Sequence, residues 1–553
     1  MRVSENKKIE KLFNFRPVFF LAVFLCLGIL FAFLYKRYDV SLWWLCALPP
    51  IMGASFCFCG TKRAFLKAAA WWGALCLFFL FGVIGFFAQV RDFESAKSYD
   101  GEHTVVGKII EKEKSDYRTY LLLDDIYIDG KETKGKLNAY LPLSFYENVT
   151  LGDEIATVGE VGTDTEIADI YGFRAYEISK DIKYSCYAKD CIIADGELDV
   201  FLWLRDRMQT RMEAGMDGDG AAVMTAVLTG NTSKMDKDLL NNMRYGGIAH
   251  IFAVSGLHVG ALYAFCLLLF GKTKLGKIPK AGKVAVLAAI LLLYGGICGF
   301  SPSIIRAVTL CLVAYVAKQF LSSVDFLETL GFAAIVILFL SPVDLFDVGF
   351  QLSFSACLGI VLLQKRVGQV CVEIGKVYRK VFPKKLTEEQ KSMVEKGDTL
   401  PKTLFERIAG GVASAFSVSL AAQIATAPIQ LAHFGYISGW GLLLNALFVP
   451  LISAGFAFLL LFAVIACLLP IGASFVVLYI PNVVWSAILL LFEVVDFSSF
   501  ALVGWRVSAQ AGICYYTGCV FATDKLYLSA VWKRIGGISC FSVFIFLFLL
   551  GNL

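Results

Sequence analysis

Apolar runs of membrane length recur along this chain, separated by short polar breaks, and one long polar stretch interrupts them. Residues 17–34, 41–59 and 68–90 each hold enough apolar positions to cross a bilayer, which takes about 20 residues of helix. Pro49-Pro50 is expected to kink the second run. From 91 to 205 the pattern changes: 104–110, 119–128, 136–141 and 154–161 read as strands, divided by Asp-Gly, Lys-Gly and Leu-Gly-Asp turns. They predict a small all-β barrel of the oligonucleotide/oligosaccharide-binding kind. Residues 199–245 are amphipathic, and the apolar run 221–230 is too short to span, which predicts an interfacial or re-entrant helix ending at Gly230-Asn231. Apolar runs then follow at 248–270, 284–299, 326–340, 346–363, 408–431, 441–469, 471–495, 507–522 and 535–550, and another helix starts at Phe300–Arg306. The expected fold is a polytopic α-helical membrane protein of about 11–13 transmembrane helices with an inserted β domain. Its expected divisions are 1–90, a three-helix membrane region; 91–205, the OB-like barrel; and 206–553, the main transmembrane domain.

Composition excludes the soluble classes. The 553 residues are 58% hydrophobic and 18% charged, with mean hydropathy +0.67. The net charge of +5 is unevenly spread, and its distribution sets the orientation. Arg2, Lys7, Lys8, Lys11 and Arg16 precede the first apolar run against two glutamates, which places the N-terminus in the cytoplasm. Three crossings then put the barrel outside. The five lysines and no acid of 272–283 are cytoplasmic by the same rule, as is the expected loop 364–407, with 11 Lys/Arg against 6 Asp/Glu. The barrel segment carries 14 Lys/Arg and 24 Asp/Glu, which argues against a generally basic nucleic-acid face. Tyr117, Tyr120, Tyr140 and Tyr171 are available there for stacking, although strand tyrosines more often serve packing.

Most of the sixteen cysteines lie in apolar runs, where a thiol acts as a small hydrophobe. Cys186 and Cys191 are the pair in the polar insertion and are expected to close a short loop as a disulfide if the compartment is oxidising, with two unpaired thiols as the alternative. No His/Cys cluster has zinc spacing and no phosphate-cradling Gly-x-x-x-x-Gly-Lys motif occurs, so no metal, cofactor or nucleotide hydrolysis is expected.

Candidate chemistry lies in four stretches where polar groups and helix-breaking Gly or Pro fall inside membrane-length runs: 230–260, 299–306, 342–355 and 423–450. They carry His250, Ser255, His258, Arg306, Gln351, Ser353, Gln423, Gln430, His433 and Asn445. Broken helices at membrane depth are tolerated where they are buried in protein or line a water-filled cavity, so together these residues suggest a transport path. Singly, each also fits helix-packing glue, and both histidines of the first stretch fit satisfied packing residues. Arg306 can equally snorkel to surface phosphates.

The same stretches resemble the ComEC-type competence proteins, the inner-membrane channel family for DNA uptake in transformable bacteria. The resemblance rests on His250-Ile-Phe-Ala-Val-Ser-Gly-Leu-His258-Val-Gly260 preceded by Leu228-Thr-Gly230, on Phe300-Ser-Pro-Ser-Ile-Ile-Arg306, on Phe350-Gln351-Leu-Ser353, and on Gln423-Ile-Ala-Thr-Ala-Pro428 through His433-Phe-Gly435 to Asn445-Ala-Leu-Phe-Val-Pro450. It implies a permease for single-stranded DNA in the bacterial inner membrane, with membrane lipid around it. An extracytoplasmic DNA receptor, a separate nuclease and a cytoplasmic motor or helicase would be its partners, and self-association is left open. It also implies that these ten side chains are pore or gate candidates. Many members carry a C-terminal metallo-β-lactamase-like domain. This chain has no His-x-His-x-Asp-His signature, so the nuclease is expected from another protein, or the chain is a short family type.

Two rival functions use the same residues. An intramembrane hydrolase would take Ser255 as nucleophile and a histidine as base, but only Ser255 and His258 share a helix face. A small-solute transporter would use the same path for a different cargo.

Overall fold

The computed structural model describes residues 16–38, 62–99, 101–114, 117–146, 148–163, 174–196, 199–252, 256–272, 277–300, 302–320, 325–381, 404–523 and 529–552. The expected second span, 41–59, lies outside them, as does Tyr171. Helices α1 (Pro17–Tyr38) and α2 (Lys62–Glu94) lead into the barrel, formed by β1 (Glu102–Lys114), β2 (Arg118–Ile128), β3 (Lys131–Glu132), β4 (Lys136–Pro142), β5 (Glu154–Thr163), the short helix α3 (Ala175–Lys180) and β6 (Ile182–Ala194). The helical body follows: α4 (Val200–Gly215), α5 (Gly218–Thr229), α6 (Lys237–Tyr245), α7 (Ala249–Phe252), α8 (Gly256–Lys272), α9 (Lys280–Ile297), α10 (Pro302–Phe320), α11 (Phe326–Leu340), a 3-10 turn at Pro342–Phe346, α12 (Val348–Val381) and α13 (Leu404–Phe434). It ends with β7 (Tyr436–Ser438), α14 (Gly441–Leu468), α15 (Ser474–Val494), β8 (Ala501–Val503), α16 (Ala509–Phe521) and α17 (Ala530–Leu550).

Among the described residues, nine helices are long and apolar enough to cross a membrane, and Gly256–Gly271 and Phe326–Leu340 are shorter apolar helices. The protein is a multi-pass helical membrane protein. Its exteriors are apolar where lipid would lie: Leu447, Leu468, Ile538 and Phe546 are exposed. At the N-terminal end, α1 and α2 touch backbone to backbone, since a Cβ on Gly28 or Gly82 would collide with the Phe79 or Leu25 carbonyl oxygen. Arg16 fastens this pair to α11 through Asp325 at 2.7 Å.

The barrel closes as β1-β2-β4-β6-β5-β1, antiparallel throughout except for the parallel pair β4–β6. That is the order and the single parallel contact of an OB-like barrel. Leu121, Leu123, Leu137, Ala139, Ile155 and Val161 fill it. Strand β6 breaks strict alternation: its register against β5 slips between Thr157 and Gly159, and Lys183 is buried against Asp92 (2.9 Å) and Asp181 (3.1 Å). Those irregularities kept it out of the four strands expected from alternation.

Three expectations need correction. Cys186 and Cys191 are unpaired thiols, because both lie on β6. At roughly 3.3 Å per residue, five residues of strand separate their Cα atoms by about 16 Å, far beyond the roughly 7 Å limit for a disulfide. Residues Gly220–Thr229 are buried on every side, so α5 is not interfacial, which leaves the re-entrant alternative of that expectation, as its mostly apolar sequence permits. The expected loop 364–407 is helical at both ends, through Val381 on α12 and from Leu404 on α13. Lys and Arg are good helix formers, so a basic stretch does not end a helix. Residues 382–403 lie outside those described.

Candidate functional site

Polar residues of the second, third and fourth stretches meet where α10 and α12 begin and α13 ends. Arg306 stands one turn into α10, its side chain 4% exposed, and donates from Nη1 to Asp347 Oδ1 at 3.1 Å. The same oxygen accepts the Phe350 amide at 2.8 Å, so Asp347 both neutralises the guanidinium and caps α12. Gly349 makes this seat: a Cβ there would stand 2.7 Å from Arg306 Nη2 and 3.0 Å from Asp347 Oδ1. One turn on, Gln351 donates from Nε2 to the Leu345 carbonyl at 3.2 Å, and its Oε1 lies 3.4 Å from His433 Nε2. A continuous polar line therefore runs from α10 through the start of α12 to the end of α13.

A second polar group lies beside it on the turn Pro342–Phe346. Gln89 of α2 donates to Ser341 Oγ (3.1 Å) and accepts the Val343 amide (3.0 Å), while Ser341 Oγ donates to Asp344 Oδ1 at 2.7 Å. Burial, with Asp347 nearby, pushes the Asp344 carboxyl up to about 6. The barrel's α3 rests on this same turn, with Ala175 and Ile178 packed in one cluster with Val343 and Phe350. Sequence reasoning missed Asp344, Asp347, Ser341 and Gln89. The signal was there, since Asp344-Leu-Phe-Asp347 puts two acids at the mouth of an apolar run.

The first and fourth stretches join elsewhere. Gln423 donates to the Ser438 carbonyl at 3.1 Å, and Ser438 Oγ accepts the Gly441 amide at 2.8 Å, starting α14. Gly247, with φ +76°, presses on this corner: a Cβ would stand 2.7 Å from Gly441 Cα. The Leu228 carbonyl accepts from Tyr294 Oη (3.2 Å) and Cys298 Sγ (3.4 Å), which ties the end of α5 to the end of α9, just ahead of the second stretch.

The remaining candidates do not join these lines. His258 is buried with its ring 4.8 Å from that of Phe456. His250 is exposed on the single-turn α7, and Ser353 is half-buried on α12. Gln430 donates to Thr426 Oγ1 (3.3 Å) within its own helix. Asn445 Oδ1 is enclosed with no hydrogen-bond partner among the described residues. Ser255 lies outside the described residues, and no group of three metal-ligating side chains occurs among them.

Against this geometry, a family model described as "Competence protein" matches residues 227–527, more than half of the chain. The chain belongs to the competence protein family. The matched span begins at the end of α5 and takes in all four polar stretches, while α1, α2 and the barrel lie before it. Among individual members, ComE operon protein 3 of Bacillus subtilis (strain 168) is 27% identical over 232 residues, which cover 42% of this chain and 25% of that protein. The aligned part is thus about a quarter of the relative's length. No solved structure matches the chain.

Proposed function

We propose that this protein is the cell-membrane path by which single-stranded DNA enters the cytoplasm during competence. The observation that carries the reading is the polar line Arg306–Asp347–Gln351–His433, built from three of the four family stretches at helix ends inside a bilayer-spanning body. A single strand bears about one charge per nucleotide, and hydrocarbon admits such a charge only along a polar route. Gln351, His433, Gln423 and Asn445 offer neutral hydrogen-bonding groups that can exchange phosphates and bases without trapping them. Arg306 is balanced by Asp347, so it holds a helix end rather than binding the strand as a lone cation, which suits passage better than tight binding. The other pore candidates, His250, Ser255, His258, Ser353 and Gln430, belong to the same reading as lining or gate residues.

In this reading the N-terminus is cytoplasmic and the barrel faces outward, toward a DNA receptor and a nuclease. A motor or helicase pulls from inside, docked near the basic residues around 364–407. The test is deletion of the gene and complementation with wild type, Gln351→Ala and His433→Ala, scoring labelled DNA in a nuclease-resistant cytoplasmic pool. Wild type is expected to restore uptake and both variants to reduce it at equal protein level. Full uptake without the gene would end the reading.

A further inference from the structure

Helix α4 bridges the barrel and the helical body, and one of its stripes holds two arginines that form no ion pair among the described residues. Residues 203, 207, 211 and 215 recur every fourth position and share one face. The stripe passes from Trp203, half exposed, through Arg207, whose guanidinium lies 5.2 Å from the Trp203 ring, to Arg211, which is 6% exposed. Arg207 Nε donates to the Cys467 carbonyl at 3.0 Å, closing the carbonyl end of α14. Arg211 is left over. Its Nη1 is enclosed and has no hydrogen-bond partner among the described residues. Two acids close to it in sequence are engaged elsewhere: Glu213 with Lys234 (2.7 Å) and Gln209 (2.9 Å), Asp217 with Asn482 (2.8 Å).

One turn beyond Arg211 the stripe reaches the start of α15. A Cβ on Gly215 would stand 3.2 Å from both the Phe475 nitrogen and the Ser474 carbonyl carbon, so α4 lies directly over the first turn of that helix. The α15 N-terminus has Ala473 in the cap position and therefore no side-chain cap. Ser474 is fully buried, and its Oγ is a second enclosed atom without a hydrogen-bond partner among the described residues. The stripe that carries the buried Arg211 thus ends, one turn later, on the buried Ser474 and the positive end of a 21-residue helix. Leaving a guanidinium buried without a counter-charge costs several kcal/mol, and an anion removes that cost.

We propose that Arg211, Ser474 and the first turn of α15 form a binding site for one phosphate-type oxyanion, with Arg207 and Trp203 at its outer side. Guanidinium groups and helix N-termini are the donors that suit such an anion. The site does not depend on the transport reading, because its ligand can come from nucleic acid, a lipid headgroup or free phosphate.

The test uses the full chain in phosphatidylcholine nanodiscs and equilibrium dialysis with radiolabelled orthophosphate. Wild type is expected to bind saturably. Arg211→Gln should weaken binding roughly tenfold or more, while Arg211→Lys, and Arg205→Gln on another face of α4, should keep most of it. Ser474→Ala, a change small enough to leave the fold intact, should weaken binding about threefold. No saturable binding, or equal affinity in Ser474→Ala and wild type, overturns the site. Displacement of the label by a short oligodeoxythymidylate assigns the ligand to a nucleic-acid backbone. Displacement only on adding phosphatidylglycerol assigns it to a lipid headgroup, and displacement by neither leaves free phosphate.

Discussion

The barrel and the helical body place their polar residues in opposite positions. In the barrel, Leu121, Ile109 and Ile155 are inside while Tyr117 and Tyr187 are exposed, the ordinary arrangement for a surface in water. In the body, Arg306, Asp344 and His258 are inside while Leu468, Ile538 and Trp532 face outward. The driving chemistry is the same and the solvent differs, so a buried polar group carries different information in each. In the barrel the buried cation Lys183 is fixed by two carboxylates and is structural. In the body the buried polar groups concentrate at helix breaks, where a membrane protein must satisfy backbone as well as side chains.

The sharpest way to break this comparison is to remove one half of the Arg306–Asp347 pair. Asp347→Ala leaves a guanidinium buried without its partner and uncaps α12, and is expected to cost about 3–5 kcal/mol, read as a fall in thermal unfolding temperature in detergent. The double variant Arg306→Met/Asp347→Leu should recover most of that loss. If Asp347→Ala melts like wild type, the pair does not organise the helix ends. In the barrel the matching change is apolar: Leu121→Ala should cost about 2–5 kcal/mol by opening a cavity. Its effect should appear in the strand signal of circular dichroism, with the body's helical signal unchanged. A simultaneous loss of both signals would show that the two regions unfold as one.

Acidity separates the regions further. Burial holds the Asp344 carboxyl at about 6, above its ordinary value of 3.8, so the folded chain takes up that proton before the unfolded chain does on acidification. Its charged form therefore lowers stability above pH 6, and that penalty vanishes as pH falls toward 4. The shift corresponds to about 3 kcal/mol. Asp344→Asn should raise the unfolding temperature at pH 7.5 by an amount that shrinks to nothing near pH 4. A gain equal at both pH values would show that the carboxylate is not the cause.

How much was legible in the sequence also divides along this line. Alternation marked β1, β2, β4 and β5 because one side of each strand meets water and the other meets Leu or Ile. It failed at β6, where the slipped register and buried Lys183 break the period. In the body, hydropathy located the spans, since lipid demands apolar length. It could not tell which side of a helix faces lipid, because Leu on either side reads the same. Hence Gln351 and His433 were nameable as candidates but their 3.4 Å approach was not, and Asp347 escaped although Arg306 was singled out. Partner choice between helices far apart in sequence, such as α10 with α12, is a matter of packing that local pattern does not encode. The same limit hid Gly349, whose role is to be absent from space that Arg306 fills.

The smallest expected effect tests the barrel's register. Cys191 lies beside Thr157 on β5 and Cys186 beside Val161, with both thiols turned to the barrel's apolar cluster. Two residues on one extended strand cannot approach each other without tearing it from both neighbours, and Cys186 also pairs across to Ala139 on the parallel side. The barrel should therefore melt at the same temperature with and without reductant. Cys191→Ser, at a half-buried edge position, should lower stability by less than about 1 kcal/mol. A reductant-dependent fall in melting temperature would require the two Cα atoms to come within disulfide reach. That would remove β6 from its place between β4 and β5, and with it the closure that makes this sheet a barrel.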